Sequence, residues 1–200
     1  TPMEQFPLYF GIGKDHILDL SQGLDHILFV IALVAAAHPR EWRKMLILIT
    51  AFTLGHSLTL ALATLEVITV PVPLVEFLIV LTILLTALLN MFTSGSGLAG
   101  RSVVHYGLTL FFGLIHGLGF STMLRAVLAG SGSIGWPLFA FNVGLEFGQI
   151  IVVALFSGLA VLTVDFAGVN RRDWKIAISA AIAGMSLLLI TDRFQSLLQS

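Results

Sequence analysis

His16-Ile-Leu-Asp-Leu-Ser-Gln-Gly-Leu-Asp-His-Ile-Leu-Phe29 sets two histidines and two aspartates at the threshold of an apolar run that continues to Ala37. Ionisable groups at membrane depth cost several kcal/mol unless they are paired or ligated, so Asp25 and His26 read as functional residues. The rest of the chain shows that this threshold belongs to a membrane. It has 200 residues, 57% hydrophobic and only 10% charged. A soluble domain carries about 25% charged residues. Mean hydropathy is +1.00. The chain therefore reads as an all-α integral membrane protein, one helical domain over residues 1–200 whose principal partner is the lipid bilayer.

Spanning helices need about 20 mostly apolar residues. Six runs are expected to span: Gln22–Ala37, Met45–Leu65, Val72–Phe92, Val103–Leu128, Pro137–Val164 and Trp174–Thr191. None shows period-two alternation, so helices rather than barrel strands are expected. Ahead of them, Phe6–Leu20 reads as an amphipathic interfacial or re-entrant helix. Connections fall at His38–Glu41, Pro71–Pro73, Ser94–Gly100, Gly130–Gly135 and Gly168–Asp173, where Pro, Gly and charge cluster. Arg40, Arg43, Lys44, Arg101, Arg171, Arg172 and Lys175 gather on one side, against Lys14, Arg125 and Arg193 on the other. The positive-inside rule then puts both termini outside, in what is expected to be a bacterial inner membrane. The segment Thr1–Phe6 has no basic stretch and small-residue cleavage site, so no signal peptide is expected.

Composition excludes several function classes. A net charge of −1 argues against a nucleic-acid partner. No cysteine is present, which removes thiolate metal sites and cysteine nucleophiles. No nucleotide-binding loop of the Gly-x-x-x-x-Gly-Lys-Ser/Thr type occurs. Small residues Ala177, Ala181 and Gly184 on the last helix are compatible with a homo-oligomer.

Polar residues recur at one level of these helices. At about 1.5 Å per residue, Asp25 and His26 lie about 5 Å inside the outer edge, Glu76 about 6 Å, His56 and His116 about 14 Å. Asn142, Glu146 and Gln149 share one helix face between about 7 and 17 Å. His105, Thr109, Phe112 and His116 form another stripe. Simple structural roles exist for many of them singly. Asp19 suits a helix cap, Glu76 a first helical turn, and Thr53 and Ser57 bonds back to their own helix. Glycines 113, 117 and 119 suit close packing, and His38 and His105 suit interfaces. A shared depth for Asp25, His26, His56, His116 and Glu146 points instead to a divalent transition-metal site, with Ni, Co and Zn all open. His16, Asp19, Glu76, Asn142 and Gln149 are expected as an entrance or as groups orienting the ligands.

The ordered motifs resemble those of the HupE/UreJ family, in its second, divergent branch. They are Gly13-x-x-His16-Ile-Leu, Asp25-His26-Ile-Leu-Phe29, Phe52-Thr-Leu-Gly-His56-Ser57-Leu-Thr-Leu60, Glu76, Phe112-Gly-Leu-Ile-His116-Gly-Leu-Gly-Phe120 and Phe141-Asn142-Val-Gly-x-Glu146-x-Gly-Gln149. The resemblance implies a secondary nickel or cobalt permease tied to hydrogenase and urease maturation. One departure concerns His16. Nickel permeases of this kind are associated with His, five residues, then Asp-His, whereas eight residues separate His16 from Asp25 here. His16 either faces the site one turn away or belongs to an entrance with Asp19. Two functions compete on these residues. The first is a metal permease with the ion as its substrate, and Thr50, Thr86, Asn90, His105 and Thr109 lining a path inward. The alternative is a zinc-dependent membrane hydrolase acting on a lipid amide or ester. Three histidines would hold its metal, with Asp25 or Glu146 as base and Ser57 as oxyanion donor.

Overall fold

The computed structural model describes residues 2–21, 23–93, 103–128 and 134–199. Gln22, Arg101, the connection Ser94–Gly100 and most of Gly130–Gly135 lie outside the described residues. Among the described residues the chain forms eight α-helices: α1 (Pro2–Leu18), α2 (Leu24–Val34), α3 (Trp42–Thr64), α4 (Val72–Phe92), α5 (Val103–Gly119), α6 (Ser121–Leu128), α7 (Gly135–Ala160) and α8 (Arg171–Leu198). A π-helical turn, Val161–Phe166, prolongs α7. Helix ends follow local chemistry. Asn170 caps α8 by accepting from the Arg172 N–H at 2.8 Å. His38 and Glu41 form a reciprocal capping box around the Pro39–Glu41 turn that leads into α3, so His38 has a structural task.

Four stretches are long and apolar enough to cross a membrane: Pro39–Thr64, Val72–Phe92, Gly135–Phe166 and Arg171–Leu198. The pair α5–α6, bent by 52°, makes a fifth if it is one span. The chain is an integral, all-helical membrane protein. The expected span Gln22–Ala37 differs most, because α2 has only 11 residues. The expected single helix Val103–Leu128 is broken at Phe120. Helix α1, which carries most of the expected interfacial or re-entrant segment Phe6–Leu20, lies lengthwise along α7 in the same direction.

Glycines explain that contact. A Cβ on Gly13 would collide with the Phe141 carbonyl, and one on Gly144 with the Phe10 carbonyl. The pair α3 and α5 repeats the device, with Gly55 against Leu110 and Gly113 against Phe52. Backbones can approach this closely only where no side chain intervenes, the usual route to tight packing between membrane helices. A third pair, α4 and α8, is antiparallel. Glu76 and Phe77 meet Arg193 and Phe194 at one end, and Thr93 meets Lys175 at the other. Short α2 lies among α4, α7 and α8 and buries Phe29, Val30, Ala32 and Val34 almost completely.

Helices α1 and α2 read as one interrupted helix. Across the break Asp19 N–H bonds to Asp15 O, Gly23 N–H to Asp19 O, and Ile27 N–H to Gly23 O. The carboxylate of Asp19 accepts from Ser21 N–H at 2.8 Å and Ser21 Oγ at 2.6 Å, which competes with helix continuation.

Candidate metal centre

Three glycines place three histidines. Gly13, Gly23 and Gly113 each stand three residues before His16, His26 and His116. Gly13 meets the backbone of α7, Gly113 that of α3, and Gly23 the carbonyls of His16 and Ile17. One helical turn beyond each close approach, a side chain on the same face points into the space between helices. The fourth histidine, His56, follows Gly55, which meets α5.

The four imidazoles converge with His26 at the centre. Its ring centroid lies 4.6 Å from His16, 5.1 Å from His116 and 5.6 Å from His56. Ligand atoms of His16, His26 and His56 all fall within 4.8 Å of one another. A first-row ion with metal–nitrogen bonds of about 2.1 Å needs nitrogens about 3.4 Å apart, so these rings would have to close inward by roughly 1 Å to hold one.

His56 and His116 are fully buried and His26 is 5% exposed. Even so, both nitrogens of His26 and His56, Nε2 of His16 and Nδ1 of His116 find no hydrogen-bond partner among the described residues. A neutral imidazole carries one donor and one acceptor, and each group left unsatisfied costs about 1–3 kcal/mol. One nitrogen from each of His16, His26 and His56 lies within 4.8 Å of the others, which fits a cation that would take one lone pair per ring. His116 Nε2 is the exception, 3.0 Å from Thr82 Oγ1. That contact fixes the ring orientation and leaves Nδ1 free, the usual task of a group behind a metal-binding histidine.

The cluster opens on a cavity of about 240 Å³. His16, Asp25, His26, Glu76, His116 and Arg193 bring its ionisable lining. Glu76 pairs with Arg193 at 3.1 Å, which leaves Asp25 as the carboxylate nearest the imidazoles without a salt bridge. Phe120 and Phe141 stack at 5.1 Å and form an apolar wall beside His16.

The remaining expected site residues are distributed as follows. His16, expected either to face the site or to stand at an entrance, lies inside the cluster, its ring 4.6 Å from that of His26 across the break at 19–23. Glu146, expected among the ligands, instead accepts a hydrogen bond from Thr50 Oγ1. Gln149 accepts from Thr53 Oγ1 at 2.9 Å. The face carrying Glu146 and Gln149 therefore meets α3 one to two turns below His56. Asn142 keeps a buried Oδ1 without a partner. Asp19 is exposed beside Ser21. Ser57 Oγ donates to Thr53 O at 2.6 Å and does not line the cavity.

Thr82 and Arg193 were missed by sequence reasoning. Thr82, Thr86 and Asn90 repeat every four residues on α4, a polar stripe that pointed to the site. Arg193 lay beyond the expected end of the last span, although α8 continues to Leu198.

No curated protein and no solved structure matches the chain. The family described as HupE / UreJ protein matches residues 1–195, nearly all of the bundle described above, and the chain belongs to that family.

Proposed function

We propose that this protein is a secondary transporter for a divalent transition-metal ion, nickel or cobalt, in a bacterial inner membrane. One observation carries the reading: the buried imidazoles of His26, His56 and His116 converge with half-buried His16, and six of their nitrogens are unpartnered. Imidazole nitrogen suits Ni, Co and Zn far better than Mg or Ca. Asp25 offers negative charge at the cavity. The family adds weight through its association with nickel and cobalt transport. In this reading α1 and α2 act as one discontinuous span. With α3, α4, α5–α6, α7 and α8 that makes six crossings and puts both termini outside. Interrupted helices whose ends face a central site are the common device of secondary transporters. The ion enters the cavity, sheds water and binds His26 with His16, His56 and His116, while Thr82 steadies His116.

The hydrolase reading uses Glu146 and Ser57, which are engaged with Thr50 and Thr53 O. Of its three polar catalytic groups, Asp25 alone lines the cavity. This favours the permease.

The test is nickel influx into liposomes carrying the purified chain. His26→Ala, at equal incorporation, is expected to abolish influx. Influx unchanged in that variant would remove the imidazole cluster from the transport path.

A further inference from the structure

A second cavity, about 30 Å³, lies on the other side of the bundle from the histidines. Thr86, Asn90, Thr93, His105 and Thr109 give it a polar lining. The two cavities divide the same helices between them. The imidazole cavity uses Glu76 and Ile79 from the first half of α4, and His116 and Gly119 from the end of α5. The second uses the last part of α4 and the first part of α5. Along α5 the stripe His105, Thr109, Phe112, His116 runs from one cavity to the other. Thr109 and His116 are about 10 Å apart along the helix axis.

Three phenylalanines fill the interval. Phe29 meets Phe52 at 4.8 Å and Phe112 at 6.1 Å. On their histidine side, Phe29 and Phe52 lie 4.9 and 5.0 Å from His116. On the other side, Phe112 lines the second cavity. Phe29 and Phe52 are almost completely buried and Phe112 is 9% exposed, and Phe29, against both other rings, links the three into an apolar septum. Each ring comes from a different helix, α2, α3 and α5. A relative shift of those helices would therefore part them.

We propose that Phe29, Phe52 and Phe112 form the gate between the imidazole site and a release vestibule for the cation. The proposal rests on the permease reading. A hydrophobic constriction stops ions by excluding water, and it opens when its rings separate. The vestibule is built to hold a dication weakly. Thr86 and Thr109 donate their hydroxyl protons to Thr82 O and His105 O, so their oxygens present lone pairs. Neutral oxygens bind nickel or cobalt less well than imidazole does. The Lys175 ammonium donates to Thr93 O at 2.7 Å, on the wall of this cavity, and repels a resident cation. Several imidazoles before the gate, against His105 alone among neutral oxygens after it, favour release.

The experiment uses the full chain in liposomes. Passive proton leak under an imposed pH gradient is measured for wild type, Phe112→Ala and the size control Phe112→Leu. Loss of the ring joins the two polar cavities, so the Phe112→Ala leak rises about tenfold or more while Phe112→Leu stays sealed. A second arm uses Phe112→Trp and nickel. That variant binds nickel at equilibrium as wild type does, and admits it at least about tenfold more slowly. A sealed Phe112→Ala, or Phe112→Trp transporting at the wild-type rate, overturns the gate. If Phe112→Ala does not fold, the tryptophan arm decides alone. If wild type moves no nickel, the permease reading falls, and the proton leak still decides the septum.

Discussion

Gly144→Ala adds one methyl group to α7, a helix that carries no histidine, yet it is expected to damage the candidate metal centre. The new Cβ would overlap the carbonyl oxygen of Phe10 on α1, a backbone atom that cannot rotate aside. Ordinary contact needs about 3.5 Å, so α1 must retreat by roughly 1 Å or more. His16 rides on the same rigid helix six residues later. Metal–nitrogen distances hold to within about 0.2 Å, and the retreat carries His16 away from a position that already needs roughly 1 Å of closure to reach an ion. The variant therefore loses one imidazole of four, and nickel affinity is expected to fall about 10- to 100-fold, the range seen when a metal site's support is removed. Overpacking costs about 1–3 kcal/mol, offset by about 0.5–1 kcal/mol from replacing glycine within a helix. Gly158→Ala is the matched control, because nothing lies within 4 Å of a Cβ there. Equilibrium nickel binding and thermal unfolding in detergent would be compared for both. Wild-type affinity in Gly144→Ala would refute the argument that glycine contacts set the histidine geometry. So would an equal loss in Gly158→Ala.

Three further outcomes are expected. Thr82→Val removes the hydroxyl that orients His116, so nickel affinity should drop about tenfold at unchanged fold; equal affinities in titration would show the 3.0 Å contact to be incidental. Arg193→Gln removes the guanidinium from the cavity and leaves Glu76 and Asp25 facing the cation, so binding should tighten about threefold or more at low salt and less at high salt; weaker binding would mean that Arg193 supports the site. Imidazoles must be unprotonated to ligate, so strong acid should strip the bound nickel; nickel retained at a pH of about 2 would contradict histidine ligands.

Hydropathy made the long helices legible, and Val72–Phe92 has the bounds the apolar run suggested. It failed where polarity did not mark the end of structure. Asp192 and Arg193 suggested an end to the last span near Thr191, but Arg193 is paired with Glu76 and α8 continues to Leu198. Depth counting put His26, His56 and His116 in the same half of the membrane, because each lies on an apolar helical run. It could not place His16, whose position depends on a break made by Asp19, Ser21 and Gly23. Nor could it place Glu146. A face at i, i+4, i+7 is visible in sequence, but the rotation of α7 that turns this face to Thr50 and Thr53 is set by the glycine contacts with α1. The recurrent Gly-x-x-His steps held that information, since each records a backbone contact one turn before a ligand.

The account stands most directly on what the four histidines do with a metal. Nickel-loaded protein, with excess ion removed, should contain about one ion per chain, and X-ray absorption should show a first coordination shell with imidazole nitrogens at about 2.0–2.1 Å. In His26→Ala that shell should disappear together with the bound ion. A shell made only of oxygens, or an unchanged spectrum in His26→Ala, would contradict the central claim.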